Sequence, residues 1–579
     1  MTSRYNLSQR LNSWVAVVFV IFAIVVYRLI VIQVFDNQKY LQAAANQQTK
    51  RQTIIAKRGR ILLKEGDQSF AIAQNQAVKS LRADPKIVKD IDLLADKLSS
   101  IIGIPRTELV DKLTYSGNRY VAIADNLTLN QVEEIESLGV EGLILEDSES
   151  RYYGESELFA GISGFVNSDG VGQYGVEQYW DDVLAGTPGL VKAVKDNQGI
   201  SLASRDNILV DPVDGGDIYL TLDRNIQAWS YDILAKYMDK HQAFEGQIVV
   251  MDPMTGKLNA MVNLPSYDPN KYGSVDSESA YINPIVSDIY EPGSVFKPLT
   301  MAAGLESGQV TANSSYFDSG SVTIDGQVIN NAEHKSYGTV AMVDVLRNSL
   351  NTGVVWILQH LGGAYPEINQ QAKVVFRDFI SKVGFGKKTD IDIFGEFSEQ
   401  LGIVKSVDSS NFDYANMTFG QGISVTSLQM IRALAIFANG GNLVRPYLVG
   451  SVSYPDGKEK IFEPKIEQAV ITPEVSSQVK AMMEAVVSPS ASGYNAVVPG
   501  YRIGGKTGTA QVPDGQGGYR TDQYNHTFIG FQSDPNSKFI ILVRLRVPAS
   551  QGYSASTSAK AFAELAKKLF DYYQIAPTS

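Results

Sequence analysis

Between Trp14 and Phe35 the sequence reads WVAVVFVIFAIVVYRLIVIQVF, an apolar run broken by a single charge, Arg28. About 20 apolar residues cross the hydrocarbon core of a bilayer as a helix, and an arginine near one end can snorkel to the interface. A buried soluble helix and a cleaved signal peptide are the alternatives. The length and N-terminal position of the run weigh against the first. Against the second, the run exceeds a typical signal-peptide apolar region, and the small residues Ala43 to Ala45 lie far beyond it. The segment predicts an uncleaved anchor over 14–35, behind a tail of residues 1–13. No second apolar run of this length follows, so residues 36–579 all fall on one side of the membrane. Charge does not orient the span, because Arg4 and Arg10 before it nearly balance Lys39, Lys50 and Arg51 after it.

Composition narrows what that large part can be. With 44% hydrophobic and 20% charged residues the chain is globular, with length for roughly three or four domains. A formal net charge of -11 argues against nucleic acid as a partner. The absence of cysteine excludes disulfides and thiolate chemistry and suits an oxidising compartment. The four histidines, His241, His334, His360 and His526, show no H-E-x-x-H spacing, which argues against a zinc hydrolase. No metal and no cofactor is expected.

The pattern along the chain has two parts. Residues 36–215 mix short elements: KYLQAAANQQTK (39–50) reads as a helix leaving the membrane, and TLNQVEEIESLG (128–139) as a helix stopped by Gly139. GVEGLILEDSESRYY reads as turn and strand. From 216 to 579, a strand and an Asp223-capped helix are followed by the hairpin GQIVVMDPMTGKLNAMVNL, helical stretches such as VAMVDVLRNSLNTGVVWILQHLG (340–362), and a late hairpin TFIGFQSDPNSKFIILVRLRV. The amphipathic SAKAFAELAKKLFDYYQ comes last. Strands distant in sequence with helices between them predict an α+β domain, a sheet covered by helices.

Within that domain, EPGSVFKPLT (291–300) places Ser294 and Lys297 three apart, on one face of a helix. A lysine kept neutral by burial or by a like charge could take the proton of a neighbouring hydroxyl. The same spacing recurs at Ser477 and Lys480, so the pattern alone does not decide. RNSLNTG sets Ser349 two residues before Asn351, a spacing shared by Ser116/Asn118 and Ser409/Asn411. Lys506-Thr507-Gly508, followed by Thr509, occurs once. Ile503 and glycines 504, 505 and 508 suit an edge strand that another backbone approaches closely. The order S-x-x-K, S-x-N, K-T-G is the set found in penicillin-binding proteins and class A β-lactamases.

On these motifs the chain resembles a class B penicillin-binding protein, a monofunctional peptidoglycan D,D-transpeptidase, and is most similar to the cell-division (septal, FtsI) type. The resemblance covers nearly the whole chain. AKRGRIL (56–62) is similar to the Arg-Gly-x-Ile stretch that opens the family's pedestal, and residues 150–189 to a later pedestal block. MDPMTGKLNAMVNLPSYDPN resembles the start of the catalytic domain, and FGQGISVTSLQM the family's Gly-Gln-Gly segment. One departure is LKEG (63–66), where the family often has Asp-Arg-Asn-Gly. The ending at Ser579, soon after the last helix, fits the division type.

The resemblance implies a penicillin-binding, serine β-lactamase-like transpeptidase domain over 216–579, standing on an elongated mixed α/β pedestal over 36–215 of the dimerisation type. It implies Ser294 as the nucleophile toward the D-alanyl-D-alanine carbonyl of a stem peptide, at a helix N-terminus prepared by Pro292 and Gly293. Lys297, desolvated and near Lys506, would be the base. Ser349 would relay a proton to the leaving amine and Asn351 would hold the substrate backbone. Lys506, Thr507 and Thr509 would bind the terminal carboxylate, and the bare Gly508 would leave room for an extended substrate. Backbone N–H groups of Ser294 and Thr509 would form an oxyanion hole, worth about 3–4 kcal/mol per donor. β-Lactam antibiotics would acylate Ser294. Implied partners are peptidoglycan stem peptides, the membrane, a polymerising glycosyltransferase and other division proteins. The location implied is the bacterial cytoplasmic membrane at the division site, single-pass, with the catalytic domain extracytoplasmic.

Other functions compete with that reading. A β-lactamase or carboxypeptidase would deliver water to the acyl-enzyme, but no E-x-x-L-N segment is present to activate it. A β-lactam sensor would need a signalling module before the span. An inactive division scaffold would have no need of Lys297 or Lys506. An elongation-type class B transpeptidase shares all the motifs.

Overall fold

The structure, a computed structural model, describes residues 3–35, 49–66, 68–114, 119–195, 201–202, 208–397, 407–515 and 518–578. The chain divides into two units, one of Met1–Lys57 with Gly186–Gly215, the other of Arg58–Ala185 with Gly216–Ser579.

The first unit opens with a helix, Ser3–Ile30, that runs into a wider turn, Val31–Phe35. None of its apolar stretch Trp14–Gln33 is buried. Its length and apolar composition are enough to cross a membrane, which suits the expected anchor. The helix expected over 39–50 falls mostly on residues 36–48, outside the described residues, while Thr49 and Lys50 open a strand instead. That strand, Thr49–Ile54, pairs antiparallel with Gly189–Lys195 from Thr49↔Val194 to Ile54↔Gly189.

In the second unit the first sheet is mixed. Its order is Glu459–Ile461, Val449–Ser453, Asp217–Leu220, Ile61–Glu65, Gln68–Ala83 and Val121–Leu127, with Leu143–Tyr153 also on the long strand Gln68–Ala83. Of LKEG, Leu63, Lys64 and Glu65 end the strand Ile61–Glu65, paired with Phe70, Ser69 and Gln68, and Gly66 follows at φ +58°. Arg58, from the Arg-Gly-x-Ile stretch, pairs with the fully buried Glu177 at 2.6 Å, and Arg151 takes the other oxygen at 2.8 Å. A buried carboxylate needs such partners, so the two arginines lock the approach to the strand Ile61–Glu65 and the end of the strand Leu143–Tyr153 to the segment around 177. The helix Leu129–Ser137 forms as its sequence predicts, opened by a Thr128–Gln131 capping box, with Gly139 at φ +58° beyond it. The boundary expected between residues 215 and 216 lies beside Asp217–Leu220, which pairs in parallel with Ile61–Glu65.

The second sheet is antiparallel, in the order Leu258–Leu264, Glu245–Met251, Ile540–Pro548, Tyr519–Gln532, Ile503–Pro513. The two predicted hairpins meet at its centre, where Gly246 to Met251 pair with Leu545 to Ile540. Both faces are covered, so the strands read as continuous apolar runs rather than alternating ones. Ile248 and Val250 pack with Phe562, Leu565 and Phe570 of the last helix, Ser558–Tyr572. Val249 and Met251 face the opposite core with Leu299, Met301 and Leu428. The helix Arg224–His241, whose first N–H groups are capped by Asp223 as expected, lies on the first of these faces.

Candidate active site

The site is built where three segments meet. The first is the Ser294 turn. Tyr290 and Val425 exchange two backbone hydrogen bonds of 2.9 Å, and Gly293 N–H donates to Gly420 O at 3.0 Å. Gly293 sits at φ +60°, where a side chain would be strained, and starts the tight turn Gly293–Phe296 that becomes the helix Lys297–Glu306. Within residues 291–300 only Ser294 escapes full burial. Lys297 is completely buried; its Nζ donates to Ser349 O at 2.5 Å and to Ser349 Oγ at 3.2 Å.

The second segment corrects an expectation. Residues 340–362 are not one helical stretch: Met342–Arg347 and Asn351–Leu361 are separate helices after a strand, Gly338–Ala341. Between the helices Ser349 takes φ +58°. This is an uncommon conformation for a residue with a Cβ, and surrounding structure has to hold it. The break leaves the Ser349 carbonyl free of a helical ladder and lets it accept from Lys297. The second helix has Leu350 at its N-cap, with no side-chain cap of its own. Its first N–H groups, of Asn351 and Thr352, go to Asn331 Oδ1 at 2.9 and 3.2 Å. Asn331 is held in turn by the buried Asp318 carboxylate at 2.9 Å, which also accepts the Thr352 hydroxyl at 2.7 Å and the Tyr337 N–H at 2.9 Å. Sequence reasoning missed Asp318, Asn331 and Thr352. No local signal pointed to them, because the uncapped helix start they serve appears only in the structure. The Asn351 amide Nδ2 donates to Asn330 O at 2.8 Å.

The third segment is Ile503–Pro513, an edge strand as its sequence suggests. Fully buried Lys506 donates from Nζ to Ser349 Oγ at 2.9 Å, to Thr507 O at 3.0 Å and to Thr507 Oγ1 at 3.4 Å. A Cβ on Gly508 would come within 2.9 Å of Pro292 O and 3.0 Å of Val295 Cγ1, so this glycine admits the Ser294 turn itself. Glycines 504 and 505 make room chiefly for the rings of Phe531 and Phe528, and at Gly505 a Cβ would also meet the Ile529 carbonyl at 3.2 Å. The Thr509 hydroxyl donates to Ser554 Oγ and accepts from Ser554 N–H, both at 3.1 Å.

Burial dominates the electrostatics. Desolvation, and then the charge of Lys506, hold the Lys297 amine well below its ordinary range. Burial alone brings Lys506 down to about 7. Lys297, Ser349, Lys506 and Thr507 are thus joined by hydrogen bonds, with Ser294, Gly508, Thr509 and Asn351 on the same three segments. Ser477 is exposed and Lys480 half-buried on the helix Pro473–Val486, so this pair does not share the full burial of Lys297. Ser116 and Asn118 lie outside the described residues, and Ser409 and Asn411 flank the start of another helix, Asn411–Met417. Chemically, a hydroxyl beside a buried amine pushed toward its neutral form, with a second lysine on the same hydroxyl, suits acyl transfer to serine from a substrate bearing a carboxylate.

Comparison with known proteins agrees with that chemistry. The family described as Penicillin binding protein transpeptidase domain matches residues 246–567, and the Penicillin-binding Protein dimerisation domain matches residues 53–220. The stage V sporulation protein D of Bacillus subtilis is 29% identical, over 91% of this chain and 80% of its own length. A probable peptidoglycan D,D-transpeptidase PenA of Neisseria meningitidis is 29% identical over 94% and 89%. The peptidoglycan D,D-transpeptidase FtsI of Buchnera aphidicola is 27% identical over 98% and 96%. Among solved structures, penicillin binding protein 3 of Mycobacterium tuberculosis complexed with aztreonam superposes with a TM-score of 0.69 at 25% identity, covering 91% of this chain and 98% of that one. A peptidoglycan synthetase from Bifidobacterium adolescentis gives 0.70 at 25% identity, covering 92% and 98%.

Proposed function

The chain belongs to the penicillin-binding protein transpeptidase family, and we propose that Ser294 is its nucleophile, Lys297 its base, and Ser349, Asn351 and Lys506–Thr509 the groups that bind the donor peptide and move its protons. It is a class B, FtsI-like member and a serine-type peptidoglycan D,D-transpeptidase. It takes peptidoglycan stem peptides as substrates and binds β-lactams.

The reaction runs in two halves on these residues. Neutral Lys297 takes the Ser294 proton as Oγ attacks the carbonyl between the terminal D-alanines. The oxyanion is received by the N–H groups of Ser294 and Thr509. Lys506 and the Thr507 hydroxyl hold the terminal carboxylate, and the Asn351 amide meets the peptide backbone. Collapse breaks the amide, and its nitrogen takes a proton through Ser349, whose hydroxyl lies against both amines. D-Alanine leaves and an acyl ester remains. An acceptor amine then attacks the ester, giving up its proton along the same route in reverse, and Ser294 is regenerated. A β-lactam presents a carboxylate and a strained amide in the same places, and its leaving nitrogen stays tethered.

Peptidoglycan lies outside the cytoplasmic membrane. In this reading the anchor therefore leaves the catalytic part outside, with residues 36–215 as pedestal and 216–579 as transpeptidase domain. FtsI-named relatives support septal synthesis at the division site. The pedestal would serve partners there, among them a polymerising glycosyltransferase.

The observation that carries the assignment is the convergence of Lys297 and Lys506 on Ser349 Oγ beside the Ser294 turn. Gel labelling with a fluorescent penicillin tests it on wild type, Ser294→Ala and Ser477→Ala. Stable label lost only in Ser294→Ala is the expected result. An unlabelled wild type that leaves the drug intact would point to a scaffold, and rapid drug hydrolysis to a lactamase.

A further inference from the structure

We propose that Glu291 is a positioning residue for acylation, tying the turn that carries Ser294 to the hairpin that carries Lys506–Thr509. The inference rests on Ser294 being the nucleophile.

Glu291 stands three residues before Ser294 and is 8% exposed. Its two carboxylate oxygens serve different segments. Oε1 accepts the Gly422 N–H at 2.9 Å, and Oε2 accepts the Tyr519 hydroxyl at 2.9 Å. Gly422 lies on the stretch that runs alongside the Ser294 segment, bonded to it at Tyr290–Val425 and Gly293–Gly420. The approach is so close that a Cβ on Gly420 would fall 2.3 Å from Gly293 O. Tyr519 opens the strand Tyr519–Gln532 and pairs with Pro513, four residues beyond Thr509 on the edge strand.

One carboxylate therefore joins chain positions 291, 422 and 519, and two of those segments carry opposing parts of the site. Burying a carboxyl costs free energy that its two donors only offset, and burial raises its pKa. An apolar side chain would fill the space at lower cost, so what the carboxylate adds is direction. Its two bonds set the Ser294 turn in register with the Lys506 strand. Displacement of reacting groups by about 1 Å can lower a rate by about 100-fold. Tyr519 is exposed over 39% of its surface, so removing its hydroxyl breaks the tie without opening a core cavity.

The test separates binding from acylation. Rapid-mixing kinetics with a fluorescent penicillin on the full chain in detergent yield the non-covalent Kd and the acylation rate constant for wild type, Ser294→Ala, Glu291→Gln, Tyr519→Phe and the double variant. The expected result is a rate constant lower by about tenfold in Glu291→Gln and about threefold in Tyr519→Phe, with Kd within about twofold of wild type and the unfolding midpoint unchanged. The double variant should be no worse than Glu291→Gln, since both remove one contact. An unchanged rate constant in both single variants overturns the proposal. So does a loss that disappears when the assay is run well below a lowered unfolding midpoint. Label that survives in Ser294→Ala would instead overturn the nucleophile assignment, and this inference with it.

Discussion

Lys297 and Lys506 donate to one and the same hydroxyl, Ser349 Oγ, at 3.2 and 2.9 Å. Two fully buried amines cannot both stay charged at such a place without a carboxylate between them, and no carboxylate is bonded to either among the described residues. Burial and then the like charge of Lys506 push the Lys297 amine toward its neutral form, the form a base requires.

Acylation should therefore follow a bell-shaped pH profile. The rate constant over Kd rises as Lys297 loses its proton, at a pH well below the ordinary lysine range, and falls above about 7 as Lys506 loses the charge that holds the carboxylate. A β-lactam with an esterified carboxylate should keep the acid limb and lose the basic one. A basic limb equal for both ligands would mean that Lys506 does not act through the carboxylate.

Stability should rise with pH over a defined window. The folded pKa of Lys506, about 7, lies below its ordinary 10.5, so between these values the unfolded chain binds more protons. The stabilisation is complete above 10.5 and is lost as pH falls through about 7. Unfolding midpoints of wild type from pH 7 to 10 should climb relative to those of Lys506→Met, which lacks the titrating group.

Ser349 separates stability from activity. At φ +58° a glycine relieves strain and an alanine does not. Ser349→Gly should leave the unfolding free energy unchanged or raise it by about 0.5–1 kcal/mol, while slowing acylation by about 100-fold or more through loss of the relay. Ser349→Ala should lose both. Denaturant melts and penicillin labelling of the two variants check this.

Asn331→Ala should cost about 2–3 kcal/mol, because it leaves the Asn351 and Thr352 N–H groups and part of the Asp318 carboxylate buried without a partner. Acylation should slow with it as the Asn351 helix start loosens. Chemical denaturation paired with acylation kinetics gives both numbers.

Local chemistry alone determined a good deal of this protein. The apolar run from Trp14 predicted an anchor, and the Asp223 cap and the two hairpins announced their elements, whereas S-x-x-K, S-x-N and K-T-G pointed to a candidate site through the resemblance they carry. Each of these signals acts over a few residues, through hydrogen-bonding reach or side-chain period. Tertiary structure alone decided the rest. Nothing near Ser349 foretold a break in the helix, because the cap that permits it comes from Asn331 and Asp318 on other elements. Nothing near Lys297 foretold how far its amine would be pushed toward neutrality, because that depends on its burial in the fold and on Lys506, some 200 residues later. Nor did Glu-Pro-Gly reveal that Glu291 would meet Gly422 and Tyr519. Burial and charge proximity depend on which distant segments pack together, and a short stretch of sequence does not carry that information.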